Sequence, residues 1–185
     1  MWQFIILQLI FSNILLRYLP LNTSLDIYRS CNCFFLSSRG IYYIITKNGG
    51  IYFTENTCYL YISYTTLDLY YLFRCKSKRF ELIFHHIFTV IAYIQLYFTR
   101  NFSHEALLAH IFLLAELLSI FNWLLRGTNI LRYWRLLIII SIRLPLWIYM
   151  VMTTHLLQHT VSQVLSQFAG WFMPLLDIYF IYKLY

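Results

Sequence analysis

The chain alternates long apolar blocks with short polar knots. Residues 1–16 are apolar up to Arg17, and further blocks follow at 31–45, 58–73, 82–98, 106–125, 136–152 and 168–184. A helix needs about 20 apolar residues, rising about 1.5 Å each, to cross a hydrocarbon core of about 30 Å. The block 106–125 meets that length and predicts a straight span, with Ala109, Glu116, Ser119 and Trp123 as small or polar residues along one side. The block 31–45 is interrupted by Ser37, Ser38 and Arg39, so it reads as a short tilted span or a partly interfacial segment. Residues 1–16 lack both a positive n-region and a small-residue cleavage site, which predicts an anchor rather than a removable signal. Residues 1–27 are thus expected to form an N-terminal membrane anchor and loop. The expected fold is all-α, a polytopic transmembrane bundle of six or seven helices, six if 31–45 does not cross.

Composition strengthens this picture. Hydrophobic residues make up 61% and charged residues 11% of the 185-residue chain, where a soluble domain carries about 25% charged. That excludes a soluble domain, a disordered segment, a coiled coil and a nucleic-acid-binding domain. The net charge of +7 is no nucleic-acid footprint, because the bases cluster between apolar blocks, where anionic headgroups are their natural partner. Basic residues collect in cytosolic loops. With seven spans, Arg17, Arg29, Arg74, Lys76, Lys78, Arg79, Arg126, Arg132, Arg135 and Lys183 fall on one side, and Lys47 and Arg100 on the other. The carboxyl terminus is then expected in the cytosol. The 4 cysteines lack metal spacing: Cys31 and Cys33 are too close for a C-x2-C knuckle, Cys58 stands alone and Cys75 sits in a basic loop, so all read as structural.

Ionisable residues inside the blocks carry the functional information, since a charge at the bilayer centre costs roughly 2.5–3.5 kcal/mol on insertion scales and is expected to face the bundle interior. Asp68, His85, His86, Glu116, Arg143 and Asp177 are such residues. At about 100° per residue, His85 and His86 share a helical face with Thr89, and Tyr93 extends it by a turn. Glu116 and the two histidines are therefore expected to converge on a polar cavity with Ser119, while Asp68 or Asp177 is a candidate ion-pair partner for Arg143. His110, His155 and His159 read as structural. Adjacent histidines on a helix diverge too far to bind one ion together, and no H-E-x-x-H accompanies them, so neither metal nor cofactor is expected. Pro145 and Pro174 free carbonyls one turn back and predict kinks.

Together these residues resemble the TLC-domain membrane proteins, the superfamily of the ceramide synthases. The resemblance rests on Asp68-Leu69-Tyr70-Tyr71-Leu72, the basic loop after it, Phe84-His85-His86-Ile87-Phe88-Thr89 with Ala92-Tyr93, and Leu113-Leu114-Ala115-Glu116-Leu117-Leu118-Ser119 with Phe121-Asn122; Arg143, Asp177 and Lys183 follow in order. It covers residues 28–185 as a TLC-like transmembrane domain. It implies helices around a lipid-accessible cavity lined by Asp68, Thr89, Tyr93, Glu116, Ser119, Arg143 and Asp177, in the endoplasmic reticulum or another intracellular membrane. Ceramide synthases share the His-His-x-x-Thr element but carry aspartates in the following helix, and here 106–125 holds none. The sequence is thus closer to the small TLC-domain-only proteins.

The expected function is lipid binding, sensing or control of membrane lipid composition, with membrane lipids as partners. The alternative is an acyl-CoA-dependent N-acyltransferase, in which His85 or His86 is the general base and Glu116 or Asp68 orients it; a channel or proton relay is the third reading. Topology is directly testable. A reporter fused after Tyr185 should report cytosolic, and the sequon Asn101-Phe102-Ser103 should lie on the opposite side; a lumenal C-terminal reporter would refute the assignment of sides.

Overall fold

The computed structural model describes residues 2–47, 50–75 and 80–184, and among them the chain is helical with no strand. Helix α1 (Trp2–Tyr18) is followed by α2 (Leu21–Thr46), α3 (Ile51–Arg74) and α4 (Phe80–Thr99). Next, α5 (Ser103–Phe112) runs on as a 3₁₀ segment over Leu113–Ser119. Helix α6 (Asn129–Ile138) passes through a π-helical turn (Ile139–Arg143) into α7 (Leu144–Thr153), and α8 (Thr160–Leu184) ends the bundle. Counting α6 to α7 as one pass, the described residues make seven passes. The fold is an all-α transmembrane bundle.

Three helices are long and apolar enough to cross a membrane: Phe80–Thr99, the joined rod Asn129–Leu156, and Thr160–Tyr182. Helices α2 and α3, at 26 and 24 residues, match the length but are more polar. Their polar residues point inward: Ser30, Asn32 and Ser37 of α2 and Thr57, Thr65 and Asp68 of α3 are buried, while Phe34, Phe35, Ile41 and Tyr70 are exposed. This inverted pattern suits a lipid solvent, because a polar group facing hydrocarbon has no partner there. Position 27, where an N-terminal anchor and loop were expected to end, lies within α2, which is helical from Leu21 to Thr46. Helix α1 packs on α2 and α3, and Ser24 ties the junction by reaching the carbonyls of Leu15, Leu19 and Pro20 at 3.0–3.1 Å.

The block 106–125 corrects an expectation. Regular α-helix stops at Phe112, a 3₁₀ segment follows to Ser119, and turns lead to Thr128, whose hydroxyl caps α6 by accepting from the Leu131 N–H. In a 3₁₀ helix residues three apart eclipse one another, so Leu113, Glu116 and Ser119 line up on one face. Helix α2 meets them with small residues at matching steps. Gly40 lies against Leu113, Cys33 donates to Glu116 at 3.2 Å, and Ser30 donates to the Ser119 carbonyl at 3.2 Å. Trp123, expected on the inner side, is 48% exposed, because the α-helical spacing that would carry it inward is lost.

Pro145 has no N–H to offer the Ser141 carbonyl, and the chain absorbs the defect as the π turn just before it. That turn rotates Arg143 into the interior, where it is 6% exposed. Helix α8 stays continuous through Pro174. It comes close to α7 at Gly170, where an added Cβ would stand 3.1 Å from the Trp147 carbonyl and collide with Val151.

The seven passes put one set of helix ends together. The ends of α1, α3 and α8 and the starts of α2, α4 and α6 share it, and with them Arg17, Arg29, Arg74, Arg126, Arg132 and Arg135. Of the basic loop, Lys76, Ser77, Lys78 and Arg79 lie outside the described residues, as does Tyr185. Close packing at Gly40 yields a test. A Cβ there would sit 2.6 Å from the His110 carbonyl oxygen, so Gly40→Ala should cost about 1–3 kcal/mol through overpacking. It should lower the detergent melting temperature, while Gly50→Ala, with nothing within 4 Å, should leave it unchanged.

Candidate functional site

Of the four buried carboxylates among the described residues, Asp68, Glu116 and Asp177 organise the interior around the site, each served by other elements. Asp68 on α3, with 0% exposure, accepts from Arg29 Nε on α2 at 2.8 and 3.0 Å to its two oxygens. Its Oδ2 also lies 2.7 Å from His86 Nε2 on α4. The carboxylate therefore joins three helices, and the ring of Tyr64 stands edge-on to the His86 ring. Glu116, on the 3₁₀ segment, accepts from the Tyr61 hydroxyl and, at 3.2 Å, from the Cys33 thiol. His85 Nε2 lies 4.0 Å away, beyond hydrogen-bond distance. Asp177 on α8 accepts from Arg143 Nε at 3.1 Å and from the Trp147 indole at 2.7 Å, with Arg143 Nη2 2.8 Å from its other oxygen. A third Arg143 nitrogen donates to the Ala115 carbonyl at 3.3 Å, which links the α7–α8 pair to the 3₁₀ segment.

Of these groups Arg29, Tyr64, His85, His86, Glu116 and Arg143 border one cavity of about 430 Å³ at the end of the bundle that carries the arginines. Its charged lining balances: Arg29, Arg135 and Arg143 face Asp26, Glu81 and Glu116, with His85 and His86 between them. Asp26 pairs with Arg126 at 2.8 Å, and Arg135 donates to Asn122 at 2.8 Å. Leu82, Leu118, Ile139, Leu176 and Phe180 add apolar side chains to the same lining. An amphipathic hollow of this kind suits an amphiphile with a polar, zwitterionic or hydroxyl-bearing head better than a strongly anionic one, because no single sign of charge dominates.

Of the residues singled out by the sequence, His85, His86, Glu116, Ser119 and Arg143 line this cavity. Asp68 and Asp177 stand behind it as partners of lining residues. Asp177, not Asp68, is the partner of Arg143. Thr89 and Tyr93 lie apart from it. The Thr89 hydroxyl turns back to the His85 carbonyl at 2.8 Å, and the Tyr93 hydroxyl donates to the Ala109 carbonyl at 2.9 Å. Tyr93 borders a separate, mostly apolar groove between α4, α5 and α8. His110 stacks on Tyr43 with ring centroids 4.0 Å apart and bonds the Ala106 carbonyl; His159 meets Gln95.

Arg29, Cys33, Tyr61 and Trp147 are site residues that sequence reasoning missed. Nothing local marks Arg29, which sits 39 positions from its carboxylate. Trp147 had a weak signal, one helical turn after Arg143. Among the described residues no three His, Cys, Asp or Glu side chains gather as metal ligands, and all four cysteines are free.

Comparison with protein-family models, with curated proteins and with solved structures finds no match to this chain.

The paired charges make a stability prediction. Arg143→Leu strands Asp177, and stranding a buried charge costs about 3–5 kcal/mol, so folded yield in detergent should fall. The double variant Arg143→Leu with Asp177→Leu should recover much of it. Equal losses in single and double variants would show that the pair does not act as a unit.

Proposed function

We propose that this membrane protein binds the polar head of a membrane amphiphile in the central cavity and acts in lipid binding, sensing or redistribution. One observation carries the reading: charged and histidine side chains from α2, α4, the 3₁₀ segment and the α6–α7 rod border a single hollow that apolar side chains also line. Intramembrane ionisable groups are costly, and a shared polar hollow is the arrangement expected where they serve a ligand. The residues that carry the resemblance to TLC-domain proteins support the same reading, since Asp68, His85, His86 and Glu116 stand at or directly behind this wall. On that reading the protein resides in the endoplasmic reticulum or another intracellular membrane. The cavity end, rich in arginine, and the carboxyl terminus face the cytosol.

A second reading is favoured by the Arg29–Asp68–His86 chain. A histidine held by a carboxylate has the layout of an oriented general base, and acyl transfer from acyl-CoA to an amine would need one. The balanced lining also leaves room for a ligand that is only bound.

The two readings separate in one experiment. Purified protein in liposomes is given a sphingoid base and acyl-CoA of several lengths, beside His85→Ala and His86→Ala variants matched for folded amount. The expected result is no turnover by any of them, with lipid retention through purification altered in the variants. Turnover that falls about 100-fold to 10,000-fold on either substitution would establish the transferase instead. Unchanged retention without turnover would remove the cavity from the function.

A further inference from the structure

A second depression, of about 640 Å³, opens at the same end of the bundle, between the last turns of α1 and α3 and the first turn of α2. It shares no lining residue with the central cavity. Among the described residues its charged groups are Arg17 and Arg74; Asn13 and Tyr71 add polar atoms, Leu16 and Leu21 an apolar lip, and no described carboxylate lines it.

Among the described residues no acid answers this charge. Arg29, Arg100, Arg126 and Arg143 all reach carboxylates within 4.0 Å. Arg17 and Arg74 are exposed and form no ion pair among the described residues; Arg17 only lies over the ring of its neighbour Tyr18 at 5.9 Å. A helix dipole favours a cation in the last turn of each helix, which accounts for one arginine per helix end. It does not account for two of them lining one hollow whose described residues include no acid. Their spacing is fixed by packing, because the buried Tyr71 hydroxyl donates to Ser12 at 3.1 Å and clamps α3 to α1 beneath the hollow. Around it the surface is apolar, with Ile14, Leu21, Tyr70 and Phe73 each more than two-fifths exposed.

We infer that this depression binds the phosphate headgroup of an anionic phospholipid. The two guanidinium groups hold the phosphate oxygens from α1 and α3, in the forked geometry that arginine offers to phosphate. The acyl chains lie along the exposed apolar faces of the same helices. A lipid is the occupant rather than free phosphate because the hollow is rimmed by side chains that only a bilayer would cover. Lys76, Lys78 and Arg79 follow in the sequence and lie outside the described residues.

The full chain is placed in phosphatidylcholine nanodiscs containing a minor fraction of phosphatidylglycerol, and the lipids retained after mild extraction are quantified by mass spectrometry. The wild type should enrich phosphatidylglycerol. Arg17→Gln and Arg74→Gln should each lower the enrichment about fivefold, whereas Arg17→Lys keeps most of it. Arg132→Gln, which removes an exposed arginine of α6 outside the depression, should leave it unchanged. Both tested arginines are exposed, and equal melting temperatures establish that the variants fold. No enrichment by the wild type, equal enrichment by the Gln variants, or an equal loss in Arg132→Gln would overturn the site. Displacement of the retained lipid by inorganic phosphate or glycerol 3-phosphate would identify a free-phosphate site and overturn the lipid assignment.

Discussion

A hydrocarbon surrounding offers a buried charge no partner, so each ionised group must find its donors inside the bundle. Asp68, Glu116 and Asp177 show how this requirement shapes the protein. Every one of them takes donors from another element: Arg29 and His86 for the first, Tyr61 and Cys33 for the second, Arg143 and Trp147 for the third. Apolar packing alone sets helices side by side with little preference for rotation, because lipid tails are as apolar as leucine. The carboxylates supply the missing preference. Asp68 fixes α2, α3 and α4 against each other, and Arg143 fixes α8 against the 3₁₀ segment through Asp177 and the Ala115 carbonyl.

The irregular backbone is part of the same solution. Non-helical backbone at membrane depth is tolerated where protein covers it, and both irregular stretches lie against buried charge. The 3₁₀ segment aligns Glu116 with the small-residue face of α2, and the π turn before Pro145 aims Arg143 at Asp177. A straight α-helix through either stretch would swing its ionisable side chain away from its partner. The cavity exists because these two distortions hold polar side chains at its border instead of in helix-to-helix contact.

The cavity and the Arg17–Arg74 depression differ in chemistry although they share one end of the bundle. Three guanidinium groups and three carboxylates balance in the first, which suits a head without strong net charge. Two guanidinium groups that meet no carboxylate among the described residues mark the second.

The sequence by itself determined the class of the protein and the inward-facing residues. The spacing of apolar blocks is a local property, so an all-α membrane bundle could be read from it, as could the gathering of arginines at alternate helix ends. The placement of His85, His86 and Glu116 around one hollow was also legible, because a polar residue in an apolar helix has only one direction to go. Tertiary structure decided the pairings. Arg29 meets Asp68 from 39 positions away, and Arg143 chooses Asp177 over Asp68; such choices depend on the rotation and register of helices distant in the chain, which no local pattern encodes. It also decided that residues 106–125 do not run as one α-helix, since the break answers the fit to α2 rather than the composition of the block. Thr89 and Tyr93 keep their helical face, yet the Thr89 hydroxyl turns back to the His85 carbonyl within its own helix, and the Tyr93 hydroxyl goes to the Ala109 carbonyl of α5, which only the folded bundle places within reach.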